Sequence, residues 1–509
     1  MHADSFLYTG QQARDIDAIA INSLGIPGIQ LMKNAGRAAF ALLRRKYPGS
    51  SKLGIVCGNG NNAGDGYIVA SLALQQGLSA CLVQVGSAAA LKGDAALARD
   101  WAMAAGVEIH TFTDQDSLSG LLQCHVIVDA MLGTGITGPV RKDFKTCIDT
   151  LNGWDIPVLA IDLPSGLNPD TGNAEGSVVQ SDCSISFITR KRGLYTAEGP
   201  ACSGEVYFDA LDVPQKPFTG GVQALDWANL ACDVPRRDYA ANTNKNAYGH
   251  VLVIGGDVGM GGAVCLAAQA ALRCGSGLVS VVTRSAHVGG LLSRQPELMV
   301  LGMEQVQSCG AEKADRLNSL IERCSAIIIG PGLGTGEWGQ SLLQRILLHN
   351  KPMLLDADAL NILAAQPELR IAGEAGSTRI LTPHPGEAAR LLGVSAQDVQ
   401  ANRFASIATL SRKYSCDVIL KGAGSLVCTK GEDTGLCMHG NAGMATAGMG
   451  DLLSGVAGAF LGLGLSGSRA ARAAVCLHSA AADLAVEHEG MAGLVASEVL
   501  PRLRELLNS

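Results

Sequence analysis

Short apolar runs recur along the first two hundred positions, and each ends in turn chemistry: "LGIVCGNG", "CLVQVG", "HVIVDAMLGTG", "PVLAIDLPSG" and "CSISFIT". Longer stretches with helical spacing lie between them, such as 67–76 and 88–105, and two more, 11–23 and 29–45, precede the first run. Runs that are apolar throughout, separated by helices, predict a parallel sheet covered on both faces. From about 211 to 246 the pattern lapses into Pro, Gly and isolated aromatics, which predicts a boundary between domains. It restarts with "GHVLVIGG" and continues through "GLVSVVT", "AIIIGPGLG", "PMLLDADAL", "RILTPHPGE" and "CDVILKGAGSLVC". A helical region led by "GMATAGMGDLLSG" closes it. The chain is therefore expected to hold two α/β domains, over 1–215 and 246–509, joined by a linker over 216–245.

Composition narrows the class. A chain of 509 residues with 47% hydrophobic content and 63 glycines suits globular α/β domains with many backbone-lined turns. The net charge of −7 comes without a basic run, which argues against a surface that tracks nucleic-acid phosphates. The fifteen cysteines are scattered with no C-x-x-C pair; Cys57, Cys81, Cys183 and Cys265 lie in strand-like runs, and buried free thiols in a reducing compartment are expected. "MHADSFLYTG" has neither the basic nor the apolar region of an export signal. The longest uncharged stretch, 452–468, is short for a membrane span and broken by Gly, so a buried helix is expected there. The expectation is a cytoplasmic protein with no nucleic-acid and no membrane partner.

The turn "GNGNNAGDGY" fits the G-x-G-x-x-A spacing of a dinucleotide fingerprint. That fingerprint needs an acid at the end of the next strand to hold a ribose, and "CLVQVGSAAA" has none. Other polar groups stand at strand ends instead: Asn62 and Asp65, then Asp129, then Asp162 and Ser165. Any one strand-end Asp can simply cap a helix or tie a turn. Three acids, each followed by a Gly-bearing turn, favour a site, and the turn from Gly133 to Pro139 offers unobstructed amide donors.

On "GNGNNAGDG", "DAMLGTG" and "DLPSG" in that order, residues 9 to about 215 resemble the NAD(P)H-hydrate epimerase domain. The resemblance implies a substrate that is the hydrated form of NADH or NADPH, whose R and S epimers are interconverted at the hydrated ring carbon. It implies substrate contacts from Asn61, Asn62, Ala63, Gly64 and Asp65, and from Gly133, Thr134, Gly135, Ile136, Thr137, Gly138 and Pro139. Asn62, Asp129 and Ser165 would hold a potassium ion, for which oxygen ligands are suited. Asp162 would face the substrate and is the candidate for proton transfer. Thr137 stands where some relatives carry Lys, so no lysine role is carried over there.

In the second half, "NAGMATAGMGDLLSG" sets Gly448, Gly450 and Asp451 at the start of an apolar helix. Glycine amides at a helix N-terminus bind anions. An Asp among them would repel phosphate unless it is a base for an attacking hydroxyl; the alternative is a plain cap. Lys421 ends a strand in "KGAGS", His384 and Glu387 sit in the proline-braced "TPHPGE", and "GPGLG" is a turn lined by backbone donors. Each has a bland alternative in turn geometry or solvation. Together, from about 246 to the C-terminus, they resemble the ADP-dependent NAD(P)H-hydrate dehydratase.

The whole chain is then similar to a bifunctional NAD(P)H-hydrate repair enzyme: a Rossmann-like three-layer domain followed by a ribokinase-like α/β domain. That similarity implies hydrate contacts from Ala263, from Gly332 or Gly334, from His384 and from Asp451. It implies nucleotide contacts from Lys421, Gly422, Ala423, Gly424, Ser425 and Gly450, with Asp451 as catalytic base. The ligands implied are the hydrates of NADH and NADPH, with ADP as co-substrate, Mg²⁺ and K⁺, and AMP as product; a homo-oligomer is expected. Ser425 stands where Thr is usual, and Ala447-Gly448-Met449-Gly450 where more Gly or a small residue is usual; both keep the hydroxyl or the backbone geometry. Two other readings fit the same residues: a ribokinase-like kinase acting on a small alcohol, and a nucleotide sensor whose acids only bind ions.

Overall fold

In a computed structural model of the chain, both halves form open sheets whose chain order reverses once. The structure describes residues 6–136, 138–214, 220–235, 243–305, 310–369, 378–430 and 434–509. It divides into two compact units, Met1–Val222 and Gln223–Ser509.

In the first unit the sheet runs, edge to edge, Ile109–Thr111, Ser79–Gln84, Lys52–Cys57, Val126–Ala130, Val158–Ile161, Cys183–Phe187, Glu205–Asp209, with every neighbour parallel. The chain starts in the middle at Lys52–Cys57, works to one edge, then crosses back to Val126–Ala130. Open α/β sheets bind ligands at such a reversal. Register sets Val56 opposite Asp129, which places Asp129 beside the turn that follows Lys52–Cys57. The two edge strands carry polar residues and left no apolar run to read.

The helix expected over 67–76 begins earlier, at Asn61, inside the Asn-rich turn. Its first turn has no apolar period because it consists of small residues in close contact with the sheet: a Cβ on Gly66 would stand 2.7 Å from Ala130 Cβ. The stretch 88–105 holds a 3₁₀ turn, Ala88–Ala90, and then the helix Gly93–Ala104. Helices Gly10–Asn22 and Gly28–Lys46 form where expected; Thr9 and Gln12 build a capping box on the first.

The second sheet runs Met299–Gly302, Leu278–Thr283, His250–Ile254, Ala326–Ile329, Met353–Leu355, Arg379–Leu381, Asp417–Leu420, Leu426–Cys428, Gly435–Cys437, Val222–Leu225. It is parallel as far as Asp417–Leu420. "CDVILKGAGSLVC" then proves to be an antiparallel hairpin with Lys421–Ser425 as its loop, where a continuation of the parallel pattern was expected. The loop is too short for a crossover, so the chain can only turn back. Part of the expected linker is also ordered: Val222–Leu225 pairs with Gly435–Cys437, and Trp227 is buried in the short helix that follows. A strand of four residues carries too little pattern to stand out.

Helix Met449–Gly462 is buried along nearly its whole length among helix Gly261–Arg273 and strand Ala326–Ile329. No described helix is long and apolar enough to cross a membrane. Every described cysteine is a free thiol; Cys265, expected in a strand, lies in helix Gly261–Arg273.

Candidate active sites

The Asn-rich turn is fixed from below. Gln84, at the end of the neighbouring strand, donates to Gly58 O at 2.8 Å and Asn59 Oδ1 at 3.2 Å, and accepts from the Tyr67 hydroxyl. Gly58 itself must be glycine, because a Cβ there would overlap the Met131 carbonyl oxygen. The first Gly and Asn of "GNGNNAGDGY" are thus structural, which leaves Asn61, Asn62 and Asp65 to the crevice.

Asn62 is buried and donates through Nδ2 to Leu132 O at 3.1 Å, while its Oδ1 has no hydrogen-bond partner among the described residues. Beside it Asp129 is fully buried and accepts from Ser165 Oγ at 2.6 Å, Ser165 N at 2.8 Å and Met131 N at 3.1 Å. Burial pushes the Asp129 carboxyl up to about 6, against the pull of those bonds. A buried carboxylate without a cationic side chain, next to an unsatisfied amide oxygen, is a fit for a weakly charged hard cation. Among the described residues no group of three or more His, Cys, Asp or Glu is placed to hold a metal ion.

These groups open onto a cavity of about 530 Å³. Asp162 lines it from a left-handed backbone conformation, φ 66°, which its short side chain tolerates. Asp65 lines it too, and burial together with Asp162 and Asp17 raises its carboxyl well above the ordinary range. Gly133, Thr134, Gly135, Ile136 and Pro139 form the opposite lip, tied down where Arg14 Nη1 donates to Thr134 O at 2.5 Å. Ala63 and Gly64 are buried in the first helical turn, Gly138 turns the lip at φ 73°, and Thr137 lies outside the described residues. Two lining residues had escaped notice. Asp17 lies on a helix face that reads as ordinary surface; burial lifts its carboxyl to about 6, against the pull of Lys191. Lys191 is the middle of three consecutive basic residues, of which it alone is buried.

The second site is built around Asp356. Its Oδ1 lies 2.7 Å from Lys421 Nζ, and its Oδ2 accepts from Ser454 Oγ at 2.7 Å. Glu387 Oε2 is 3.8 Å from the same ammonium. Across from them Asp451, in the first turn of Met449–Gly462, has its carboxyl pushed up to about 7 by burial and then by Asp356. Gly450 is held close to this group: a Cβ there would sit 3.3 Å from Lys421 Nζ.

The Lys421–Ser425 loop is shaped by Arg403, which is fully buried. Arg403 donates to the carbonyl oxygens of Leu420, Lys421 and Gly424, each at 3.3 Å, and to Gln400 Oε1 at 2.9 Å. Gly422, at φ 135°, leaves room for it. Ser425 Oγ closes the loop on Gly422 O at 3.1 Å, and Ala423 completes it. His384 caps helix Pro385–Leu392 through Nδ1, which accepts from Gly386 N at 3.0 Å, while its Nε2 is 3.4 Å from Glu387 Oε1. Burial and then Lys421 lower its pKa. Ala263 and Gly332 are neighbours, since a Cβ on Gly332 would lie 3.3 Å from Ala263 Cβ; Gly334 N donates to Asp358 Oδ2 at 2.9 Å.

Residues 28–193 match the family model described as YjeF-related protein N-terminus, and residues 251–503 match that described as NAD(P)H-hydrate dehydratase. Over 505 residues, 99% of each chain, the protein is 42% identical to a Coxiella burnetii protein described as bifunctional NAD(P)H-hydrate repair enzyme Nnr.

The chain belongs to the bifunctional NAD(P)H-hydrate repair enzyme family.

An Escherichia coli family member bearing the same description is 39% identical over 494 residues, 96% of this chain and 91% of its own. Among solved structures, a ribokinase-like superfamily protein of Enterococcus faecalis aligns with 58% of this chain and 98% of its own, at 24% identity and a TM-score of 0.50. That likeness supports the ribokinase-like fold. For this repair-enzyme chain, Asp356 and Arg403 join Asp17 and Lys191 as residues that the sequence reading did not place. Asp356 ends an apolar run in "LLDADAL", the signal that singled out Asp129 and Asp162; Arg403 lies in a helix with nothing to mark it.

Proposed function

We propose that the first unit interconverts the R and S hydrates of NADH and NADPH, and that the second removes water from the S form with ADP, giving NAD(P)H, AMP and phosphate. The observation that carries this is a pair of strand-end crevices, each with a lysine ammonium paired to a carboxylate, Lys191 to Asp162 and Lys421 to Asp356, and in the second crevice Asp451 beside that pair with its carboxyl pushed up to about 7. A base working near pH 7 needs such a carboxyl.

In the first site Asn61, Asn62, Asp65 and the 133–139 lip would bind the hydrated nicotinamide, with Asp162 at its reacting carbon. Asn62 Oδ1, Asp129 and Ser165 would hold K⁺, which would anchor the lip through Leu132 and Met131. In the second, Lys421–Ser425 and Gly450 would take the nucleotide, and Ala263, His384 and the 332–334 turn the hydrate. Mg²⁺ would travel with the nucleotide, whose phosphate oxygens supply its ligands and whose charge it neutralises. Asp451 accepts the proton of the ring hydroxyl, and the oxygen attacks the β-phosphorus of ADP as the bond to AMP breaks. Loss of phosphate from that carbon and of a proton from its neighbour restores the ring double bond. Phosphate leaves far more readily than hydroxide, so ADP is consumed to make a leaving group.

The test is Asp451→Ala in the full chain. Dehydration of the S hydrate is expected to disappear while epimerisation of the R hydrate continues. Undiminished dehydration would contradict the assignment.

A further inference from the structure

One buried cation of the first site has no part in the chemistry described so far, and it stands beside the base. Lys191 is 3% exposed, lines the cavity, and its ammonium is paired with Asp162 Oδ1. It also donates to Phe187 O at 3.0 Å and reaches Ser186 Oγ at 3.4 Å. Burying an ammonium costs several kcal/mol before pairing, and here it is buried at a cavity wall, next to a residue held in a left-handed conformation. Such placement marks a functional pair more often than a structural one. Both members are fixed by backbone: Asp162 N donates to Ile185 O at 2.8 Å, and Lys191 sits in a short strand opposite Tyr8. Among the described residues nothing donates to Asp162 Oδ2, which leaves that oxygen to the cavity. Among the described residues, Arg14, Asp17, Asp65, Asp94 and Arg141 are the other charged groups that line this cavity, and Asp17 and Asp65 feel the pair directly.

We propose that Lys191 is the proton donor that works with Asp162 in epimerisation; this rests on the first site being an epimerase centre. The hydrated ring carbon bears a hydroxyl and the ring nitrogen, so it is a hemiaminal. Asp162 Oδ2 takes the hydroxyl proton, the C–O bond becomes a carbonyl, and the carbon–nitrogen bond breaks. Its electron pair stays on nitrogen, which takes a proton from Lys191. The open-chain aldehyde rotates to present its other face. Nitrogen then attacks, its proton returns to Lys191, and the new hydroxyl takes back the proton held by Asp162. No water, electron or proton is consumed, and the site recovers its starting charges with only the configuration changed.

The experiment is Lys191→Arg in the full chain, with R and S hydrates resolved chromatographically and no nucleotide present. Arginine keeps the charge and can pair with Asp162, but it does not give up a proton. Turnover is expected to fall at least about 100-fold, the low end of what general acid–base catalysis contributes, with KM little changed. A Lys191→Arg rate within about threefold of the unaltered protein would show that only charge matters and would overturn the proposal. If the unaltered protein dehydrates the S hydrate yet epimerises neither form, the epimerase reading itself falls, and the proposal with it. Should the variant fail to fold, the unaltered protein decides the matter in ¹⁸O-water. Ring opening at nitrogen incorporates no solvent oxygen, whereas one solvent oxygen per inversion would mean that the C–O bond breaks and would overturn the proposal.

Discussion

Lys421 Nζ lies 2.7 Å from Asp356 Oδ1. The pair fixes a carboxylate whose other oxygen accepts from Ser454 Oγ, and its field raises the Asp451 carboxyl further. A carboxyl that titrates at about 7 is half ionised at neutral pH and can both take and release a proton there.

Dehydration should therefore need ionised Asp451. The rate is expected to fall tenfold per pH unit below about 7 and to level off above it, in a pH series with saturating S hydrate and ADP. Stability runs the other way. The folded pKa is raised above the ordinary 3.8, so ionisation favours the unfolded chain, and stability is lost as pH rises through that interval to about 7. Asp451→Asn should melt higher than the unaltered, nucleotide-free protein at high pH and no differently in acid.

Arg403 is expected to matter for nucleotide binding without touching nucleotide. Arg403→Met leaves three loop carbonyls without their donor, and losing a buried charge-assisted network of this kind costs roughly 2–4 kcal/mol. Calorimetric titration with ADP should show affinity weakened by about 30- to 700-fold, since each 1.4 kcal/mol is a factor of ten. Unchanged affinity would mean that the loop holds its shape unaided.

Epimerisation should depend on a monovalent cation that fits around Asn62, Asp129 and Ser165. Replacing K⁺ by Li⁺ is expected to slow epimerisation and leave the intrinsic fluorescence unchanged. Asp129→Asn, which turns an NH2 donor toward the Ser165 or Met131 N–H in place of an acceptor, should remove the ion dependence along with most of the activity. Equal rates in both salts would contradict the ion site.

The two glycines of the opening "GNG" should behave differently. Gly58→Ala would overlap Met131 O and is expected to destabilise the fold by several kcal/mol, as forced overpacking against backbone does. Gly60 has nothing within 4 Å of a built Cβ, so Gly60→Ala should fold normally and affect only substrate KM. Thermal melts of the two variants separate these outcomes.

The sequence showed these sites most clearly where an apolar strand ends in a polar residue. Asn62, Asp65, Asp129, Asp162 and Ser165 all announce themselves that way, because parallel strands point their ends at one crevice; Asp451 is marked instead by the glycines at the start of an apolar helix. Asp356 gives the strand-end signal among other acids in "DADAL". Lys191 gives none: in "TRKRG" nothing distinguishes the middle base, and only the fold buries it against Asp162. Arg403 and Asp17 sit on helices at positions whose burial depends on what packs over them. Short strands such as Ile109–Thr111 and Val222–Leu225 hold too few residues to show a period.

The central claim is repair of both epimers by one chain. Incubating the full-length protein with racemic NADH hydrate, ADP, Mg²⁺ and K⁺, while following absorbance of reduced nicotinamide, tests it directly. Complete recovery, with one AMP and one phosphate formed per NADH, is expected. Recovery that stops at the S half, or no recovery while a nucleotide phosphorylates a stable alcohol, would contradict it.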